Sequence, residues 1–153
     1  MTAPQRQGRP VVIDASLALK WQFDDEEHVA EALALRDDAI ISRSLSAYAP
    51  TLFPYELING VVSAVRRRRL DTALGERALR NLLSVDIKLR TPSADKVFAS
   101  AIGYALSAYD GSYVALAEDL GAELWTADRR LYDAVSGRVS WVHWVGDYSA
   151  GSP

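Results

Sequence analysis

Two short runs in this chain end the same way. "VVI", Val11 to Ile13, leads into Asp14, and "ELWT", Glu123 to Thr126, leads through Ala127 into Asp128. A short apolar run reads as a buried strand, and a carboxylate is costly inside one unless it is paired, hydrated or metal-bound. Each aspartate therefore belongs just past a strand's carboxyl end, where the next helix begins. If both strands run parallel, the two acids share one rim of a sheet, which is where open α/β sheets bind ligands. The competing reading is structural, with Asp14 or Ser16, and likewise Asp128, capping the helix that follows.

The rest of the chain alternates in the same manner. "FDDEEHVAEALALRDDAI" carries Val29, Leu33 and Leu35 at roughly helical spacing, with leading acids that complement the helix dipole. A short extended piece bounded by Pro50 and Pro54 precedes an apolar stripe of helical period, Leu57, Ile58, Val61, Val62 and Val65. "DTALGERALRNLLSVDI" predicts an amphipathic helix with Asp71 or Thr72 as cap, and "DIKLRT" a short strand. The small-residue-rich stretch from Ser93 to Gly121 reads as helical, interrupted near Tyr109-Asp110-Gly111 and stopped by Gly121. "DRRLYDAVSG" predicts a last helix and "VSWVHWV" a last strand. Short strands alternating with helices predict a three-layer α/β/α domain around a central, mainly parallel sheet. The expectation is one domain over residues 1–153, with a core at about 11–146 and flexible tails at 1–9 and 147–153.

Cysteine is absent and only His28 and His143 carry imidazole. That excludes disulfides, thiolate zinc sites and histidine-rich metal sites, so any metal must be held mainly by oxygen. It also fits a reducing compartment. No apolar span is long enough for a membrane helix, and "MTAPQRQGRP" lacks a signal-peptide core, which together predict a cytoplasmic protein. A net charge of −3 does not announce a nucleic-acid binder, but charge can be local. Arg66-Arg67-Arg68-Arg69 reads either as a solvated helix end or as a phosphate-facing patch.

Two further acids join the pair. Asp110 stands at the helical interruption, where its carboxylate can meet a helix N-terminus. Glu56 lies one turn into an apolar helix, with Asn59 on its face. Gly60 follows mid-helix at a cost of about 1 kcal/mol relative to alanine, which suggests a close approach to the backbone. These acids have either separate structural roles, as caps and a polar stripe of Glu56, Asn59, Ser63 and Arg67, or one common role. With no thiol and almost no imidazole, acids are the natural bearers of any chemistry. Carboxylates converging would repel, at roughly 4 kcal/mol per pair 4 Å apart for an effective dielectric near 20. Mg²⁺ or Mn²⁺ removes that penalty and joins carboxylates to a substrate phosphate. The chemistry implied is phosphodiester hydrolysis.

The motifs, in order, are "VVIDASLALKW", "APTLFPYELINGV", "RRRRL" and "SAYDGSYVALAEDLGAELWTADRRL". An opening IDAS, a mid-chain P…E..N, a late YD..Y.ALA and a T.D after a strand form a specific combination. From about Val11 to Val145 the chain resembles a PIN-domain ribonuclease of the VapC toxin type. The resemblance implies a five-stranded parallel sheet between helices, usually in a dimer. It implies Asp14, Glu56, Asp110 and Asp128 as the catalytic acids that bind Mg²⁺ or Mn²⁺. Ser16 and Thr126 match small hydroxyl positions beside the first and last acids, and Asn59 the recurring Asn near the Glu. It also implies RNA as substrate, products with a 5′-phosphate and a 3′-hydroxyl, and a VapB-type antitoxin as partner. Gly111 departs from the family's more frequent alanine, a change expected to matter little.

Arg129, Arg130 and Lys20 read as phosphate contacts or as solvated side chains. Tyr109, Tyr113 and Trp125 could stack on bases, although packing is the simpler reading. His143 takes no catalytic role. Two rivals stay open: a catalytically silent RNA-binding or regulatory module, and an Mg²⁺-dependent phosphatase or phospho-receiver needing a nucleophilic Asp and a fixed Lys.

Overall fold

The first β-branched run belongs to a strand that starts further upstream. In the computed structural model, which describes residues 7–151, β1 spans Arg9–Ile13, and Val11, Val12 and Ile13 are wholly buried. Continuous burial is what a strand covered on both faces requires. Beside it lie β2 (Leu45–Pro50) and β4 (Glu123–Thr126), flanked by β3 (Lys88–Arg90) and β5 (Val142–Trp144). The order is β3-β2-β1-β4-β5 and every pairing is parallel, so all carboxyl ends share one rim. The chain runs from β1 outward to β3, then returns to β4 on the other side. The crevice between β1 and β4 is therefore the topological switch point.

Helices α1 (Ala15–Leu19), α2 (Val29–Ile40), α3 (Phe53–Arg66), α4 (Thr72–Leu83), α5 (Ala94–Gly103), α6 (Ala108–Leu120) and α7 (Arg129–Val135) complete a three-layer α/β/α fold. Helix α6 packs on β1, β2 and β4, with every residue from Gly111 to Ala117 buried. The small-residue-rich composition lets it lie close to the sheet and to α5. A Cβ on Gly111 would sit 3.2 Å from both the Ala101 nitrogen and the Val97 oxygen. The glycine therefore belongs to the close α5–α6 contact.

Several boundaries differ from expectation. The interruption expected at Tyr109–Gly111 lies at Tyr104–Ser107. There α5 ends with Ala105 in the left-handed region (φ 54°) and the Leu106 amide bonded to the Ala101 carbonyl. Ser107 then caps α6, its hydroxyl accepting from the Asp110 amide at 3.1 Å. Helix α2 starts at Val29, because His28 takes a left-handed backbone (φ 59°), which leaves the acids Asp24–Glu27 in the preceding loop. The extended piece expected between Pro50 and Pro54 is a turn instead: β2 ends at Pro50, Leu52 already has a helical backbone, and Pro54 stands in the first turn of α3.

The expected tails lie partly outside the described residues, at 1–6 and 152–153. Of the remainder, Arg9 pairs in β1. Val145–Asp147 forms a 3₁₀ turn, and Tyr148 is buried with its hydroxyl 2.6 Å from Asp38 Oδ2. That hydrogen bond holds the Asp38 carboxyl below its usual range. An acid whose pKa folding lowers contributes stability that is lost as pH falls through the folded-state value. Tyr148→Phe should lower the unfolding free energy by about 1–2 kcal/mol at pH 7 in urea denaturation. The difference should shrink as the pH drops below about 4.

Candidate active site

Strand β1 hands over to α1 at Asp14. Its amide donates to the Trp125 carbonyl at 3.1 Å, continuing the β1–β4 ladder. Its side chain is 7% exposed. Thr126 Oγ1 donates to Asp14 Oδ2 at 2.7 Å, and Ser16 Oγ donates to the same oxygen at 3.0 Å. Both hydroxyls also accept. Thr126 Oγ1 takes the Asp128 amide at 2.9 Å and Ser16 Oγ takes the Ala127 amide at 3.2 Å. Two hydroxyls thus bind the acid of one strand to the turn that follows its neighbour. Burial still prevails, pushing the Asp14 pKa up to about 6 against the pull of these bonds, with the nearby Asp128 charge adding to the rise.

Asp128 is the N-cap of α7, its Oδ1 accepting from the Arg130 amide at 2.9 Å and from the Leu131 amide at 3.4 Å. Asp14 likewise caps α1, accepting weakly from the Ser16 amide at 3.4 Å. For these two acids the structural reading and the shared-site reading hold together. Asp110 lies in the first turn of α6 rather than at its cap. Its carboxyl is pushed up by burial and by Asp128, while Arg130 and the Ser107 bond pull it down. Glu56, in the first turn of α3, is pushed up to about 7 by burial, against the hydrogen bond from Tyr113. Asp14, Asp110 and Asp128 all add to that rise. Four acids from four helix starts therefore act on one another across the switch-point rim.

Tyr113 was legible only as a packing or stacking residue. It is wholly buried, and its hydroxyl donates to Glu56 Oε2 in a short hydrogen bond. Burial and the charges of Asp14 and Glu56 raise the phenol pKa far above its usual value, so it remains a donor. The signal was its place three residues after Asp110, on the same face of α6. Arg130, legible in sequence as a phosphate contact or a solvated side chain, is exposed, and its charge reaches Asp110. Arg129 stands apart, its guanidinium 3.8 Å from the centre of the Trp144 ring and 4.0 Å from Asp133. Asn59 is exposed on α3. Trp125 stacks on His143 with ring centres 4.7 Å apart, inside the fold.

The donor set suits a hard divalent cation: carboxylate oxygens only, on Asp14, Glu56 and Asp110 with pKa values raised first by burial and then by neighbouring acids. In this conformation no group of three acids among the described residues is drawn tightly enough to ligate one ion. The chemistry fits, and the carboxylates would have to close in.

An open parallel sheet with acids around its switch point defines an acid-rimmed α/β protein. The chain belongs to the PIN-domain family, whose model matches residues 11–136. It is 35% identical over 126 residues to the VapC ribonuclease Mb0985 of Mycobacterium bovis, covering 80% of this chain and 89% of that protein. Ribonuclease VapC3 of Pyrobaculum aerophilum is 30% identical over 85% of this chain and 98% of its own length. Exonuclease VapC9 of the same organism is 35% identical over 56% of this chain, a match spanning 64% of that protein. Among solved structures, PAE2754 from Pyrobaculum aerophilum superposes with a TM-score of 0.65 at 26% identity, covering 90% of this chain and 92% of that one.

Two outcomes follow from the Asp14 geometry. Thr126→Val removes one of the two hydroxyl donors to a buried carboxylate oxygen and strands the Asp128 amide, and should cost about 1–3 kcal/mol in urea denaturation. An acid whose pKa folding raises binds more protons folded than unfolded, so stability falls as pH rises between the two values. For Asp14 that window runs from about pH 4 to about 6. Thermal melts in EDTA should show the wild type losing ground to Asp14→Asn as pH rises from about 4 to 7, by on the order of 2–3 kcal/mol.

Proposed function

We propose that this chain is a divalent-metal-dependent endoribonuclease, the toxin of a toxin–antitoxin pair. The observation that carries the reading is the placement of Asp14, Glu56, Asp110 and Asp128 at four helix starts on one rim of the parallel sheet. Its relatives over most of the chain bear the name VapC ribonuclease. Asp14, Glu56, Asp110 and Asp128 would hold Mg²⁺, with Mn²⁺ as substitute. When bound, such an ion offsets phosphodiester charge and lowers the pKa of water it binds.

The chain's own residues set the stage for hydrolysis. Ser16 and Thr126 hold Asp14 in one orientation, and Tyr113 fixes Glu56 by its Oε2. A water oxygen attacks phosphorus, the bond from phosphorus to the 3′ oxygen breaks, and that oxygen takes a proton. The products carry a 5′-phosphate and a 3′-hydroxyl. Asn59, exposed three residues after Glu56, and the outer edge of Arg129 meet the RNA.

The acid rim also fits a basic residue of a VapB-type antitoxin, which would block the site. A second copy of the chain would cover Phe98 and Ile102, each 70% exposed and one turn apart on α5. The reading places the protein in the cytoplasm; no helix among the described residues is long and apolar enough to cross a membrane. The looseness of the acids favours one rival, a silent RNA-binding module. The phospho-receiver alternative has less support, since it needs a lysine fixed beside a nucleophilic Asp and Lys20 pairs with Glu26 rather than with an acid of the rim.

Incubation of the purified chain with total cellular RNA and Mg²⁺ tests the reading. Wild type should cleave with loss of activity in EDTA, and Asp14→Asn and Asp128→Asn should each lose at least a hundred-fold while still folding. Cleavage retained by both variants would remove the assignment. Activity at limiting Mg²⁺ should also fall from pH 8 to pH 6, as Glu56 and Asp14 take up protons in competition with the ion. In sedimentation analysis Phe98→Glu should shift a dimer to monomer.

A further inference from the structure

The acids of the loop before α2 have a use that helix capping does not explain. Glu26 Oε2 lies 3.1 Å from Lys20 Nζ, and Glu26 Oε1 lies 3.3 Å from Arg69 Nη2 and 3.4 Å from Nη1. Asp25 takes the same Arg69 Nη2 at 2.8 Å, and the guanidinium sits 4.8 Å over the Phe23 ring. One carboxylate thus bridges a lysine just past α1 and an arginine just past α3. The Lys20 side chain is only 11% exposed, so its ammonium depends on a facing anion.

These groups line a cleft of about 260 Å³ with Ser16, Gly60 and Arg67. Gly60 stands where α3 passes α1, and a Cβ there would meet the Leu19 side-chain methyls, which would have to shift. Arg67 is exposed and pairs with no acid among the described residues. Lys20, Arg67 and Arg69 against Glu26 and Asp25 leave the cleft one cation in excess, in a chain whose net charge is −3. Its inner end is Ser16, whose hydroxyl holds Asp14. The cleft therefore adjoins the acid rim with the opposite sign of charge.

A phosphodiester at the rim is one link of a polyanion, and the next phosphates along the strand need cations. A phosphate presents acceptor oxygens to lysine and arginine as a carboxylate does. We propose that this cleft is the subsite for the RNA backbone flanking the scissile phosphate, and that Glu26 occupies the phosphate position until RNA displaces it. The exposed ion pairs of Arg69 contribute little, and an RNA phosphate replaces Glu26 as the anion that the nearly buried Lys20 ammonium needs. Glu26 then acts as a selectivity element, since an isolated anion must compete with a tethered carboxylate while a strand held at the rim competes from high local concentration. The inference takes RNA as the polymer from the ribonuclease reading; the cleft itself does not depend on cleavage.

The test is fluorescence anisotropy of a mixed-sequence single-stranded RNA 20-mer in EDTA, titrated at several salt concentrations. Arg67→Ala and Lys20→Ala should each weaken binding about three- to ten-fold, and each should reduce the salt slope by about 0.7. Glu26→Gln should tighten binding several-fold. Melts check the fold, and if Lys20→Ala does not fold, exposed Arg67 and Glu26 carry the test. Wild-type affinity and slope in the cation variants would overturn the proposal, as would an unbound 20-mer or a polyglutamate peptide that binds as tightly. Cleavage of cellular RNA in Mg²⁺ is scored alongside. Cleavage with unaltered binding in the variants rejects the cleft and keeps the nuclease. Altered binding without metal-dependent cleavage by the wild type keeps the cleft and rejects the nuclease.

Discussion

Asp14 is a carboxylate withdrawn from water at the point where the strand order of the sheet reverses, and its neighbours are arranged by what that costs. An uncompensated buried charge is among the most expensive features a fold can carry. Here two hydroxyls share the load, and each serves twice. Ser16 and Thr126 donate to the acid and accept from consecutive amides of the turn after β4. The acid, the start of α1 and the start of α7 consequently form one hydrogen-bonded unit. A change in any of them propagates to Asp128, whose carboxylate caps α7 and whose charge acts on Asp110.

That unit explains why capping and chemistry need not compete at this rim. Helix starts present amides and positive dipole ends, which favour carboxylates locally. Parallel strands then bring those starts to one side of the sheet, where the carboxylates repel one another. The local gain and the global penalty have different ranges, so both persist; burial raises the pKa values of Asp14 and Glu56, and the neighbouring acids add to the rise. A cation at the rim would relieve it. The neighbouring basic cleft has the complementary charge: an acid rim alone would repel a nucleic-acid strand, and in the proposed subsite the cations beside it would reverse the sign where such a strand continued.

Most of this was legible because it rests on local sequence. The run VVI followed by Asp14, and ELWT followed by Ala127 and Asp128, announce strand ends; the stripe from Leu57 to Val65 announces α3. What sequence periodicity missed depends on single backbone conformations or long-range pairing. His28 and Ala105 adopt left-handed backbones without being glycine, which displaced the expected start of α2 and the break before α6. The Ser107–Asp110 spacing carried the correct helix start, but the later Tyr-Asp-Gly drew the boundary past it. Tyr113 sits in an apolar stretch and looks like packing until Glu56, from another helix, is brought to its hydroxyl. Asp25 and Glu26 look like dipole-complementing acids until Arg69 folds back onto them.

The central claim is that the four acids form one cation site. Thermal unfolding of the wild type and of Asp110→Asn, in EDTA and in Mn²⁺, tests it most directly, since it needs no RNA substrate. At Mn²⁺ about one hundred-fold above Kd, the wild-type midpoint should rise by roughly 5–10 °C. Asp110→Asn should respond far less, although it starts from an equal or higher midpoint in EDTA because one repelling charge is gone. Midpoints that ignore Mn²⁺ in both proteins, or that rise equally in both, would contradict the account.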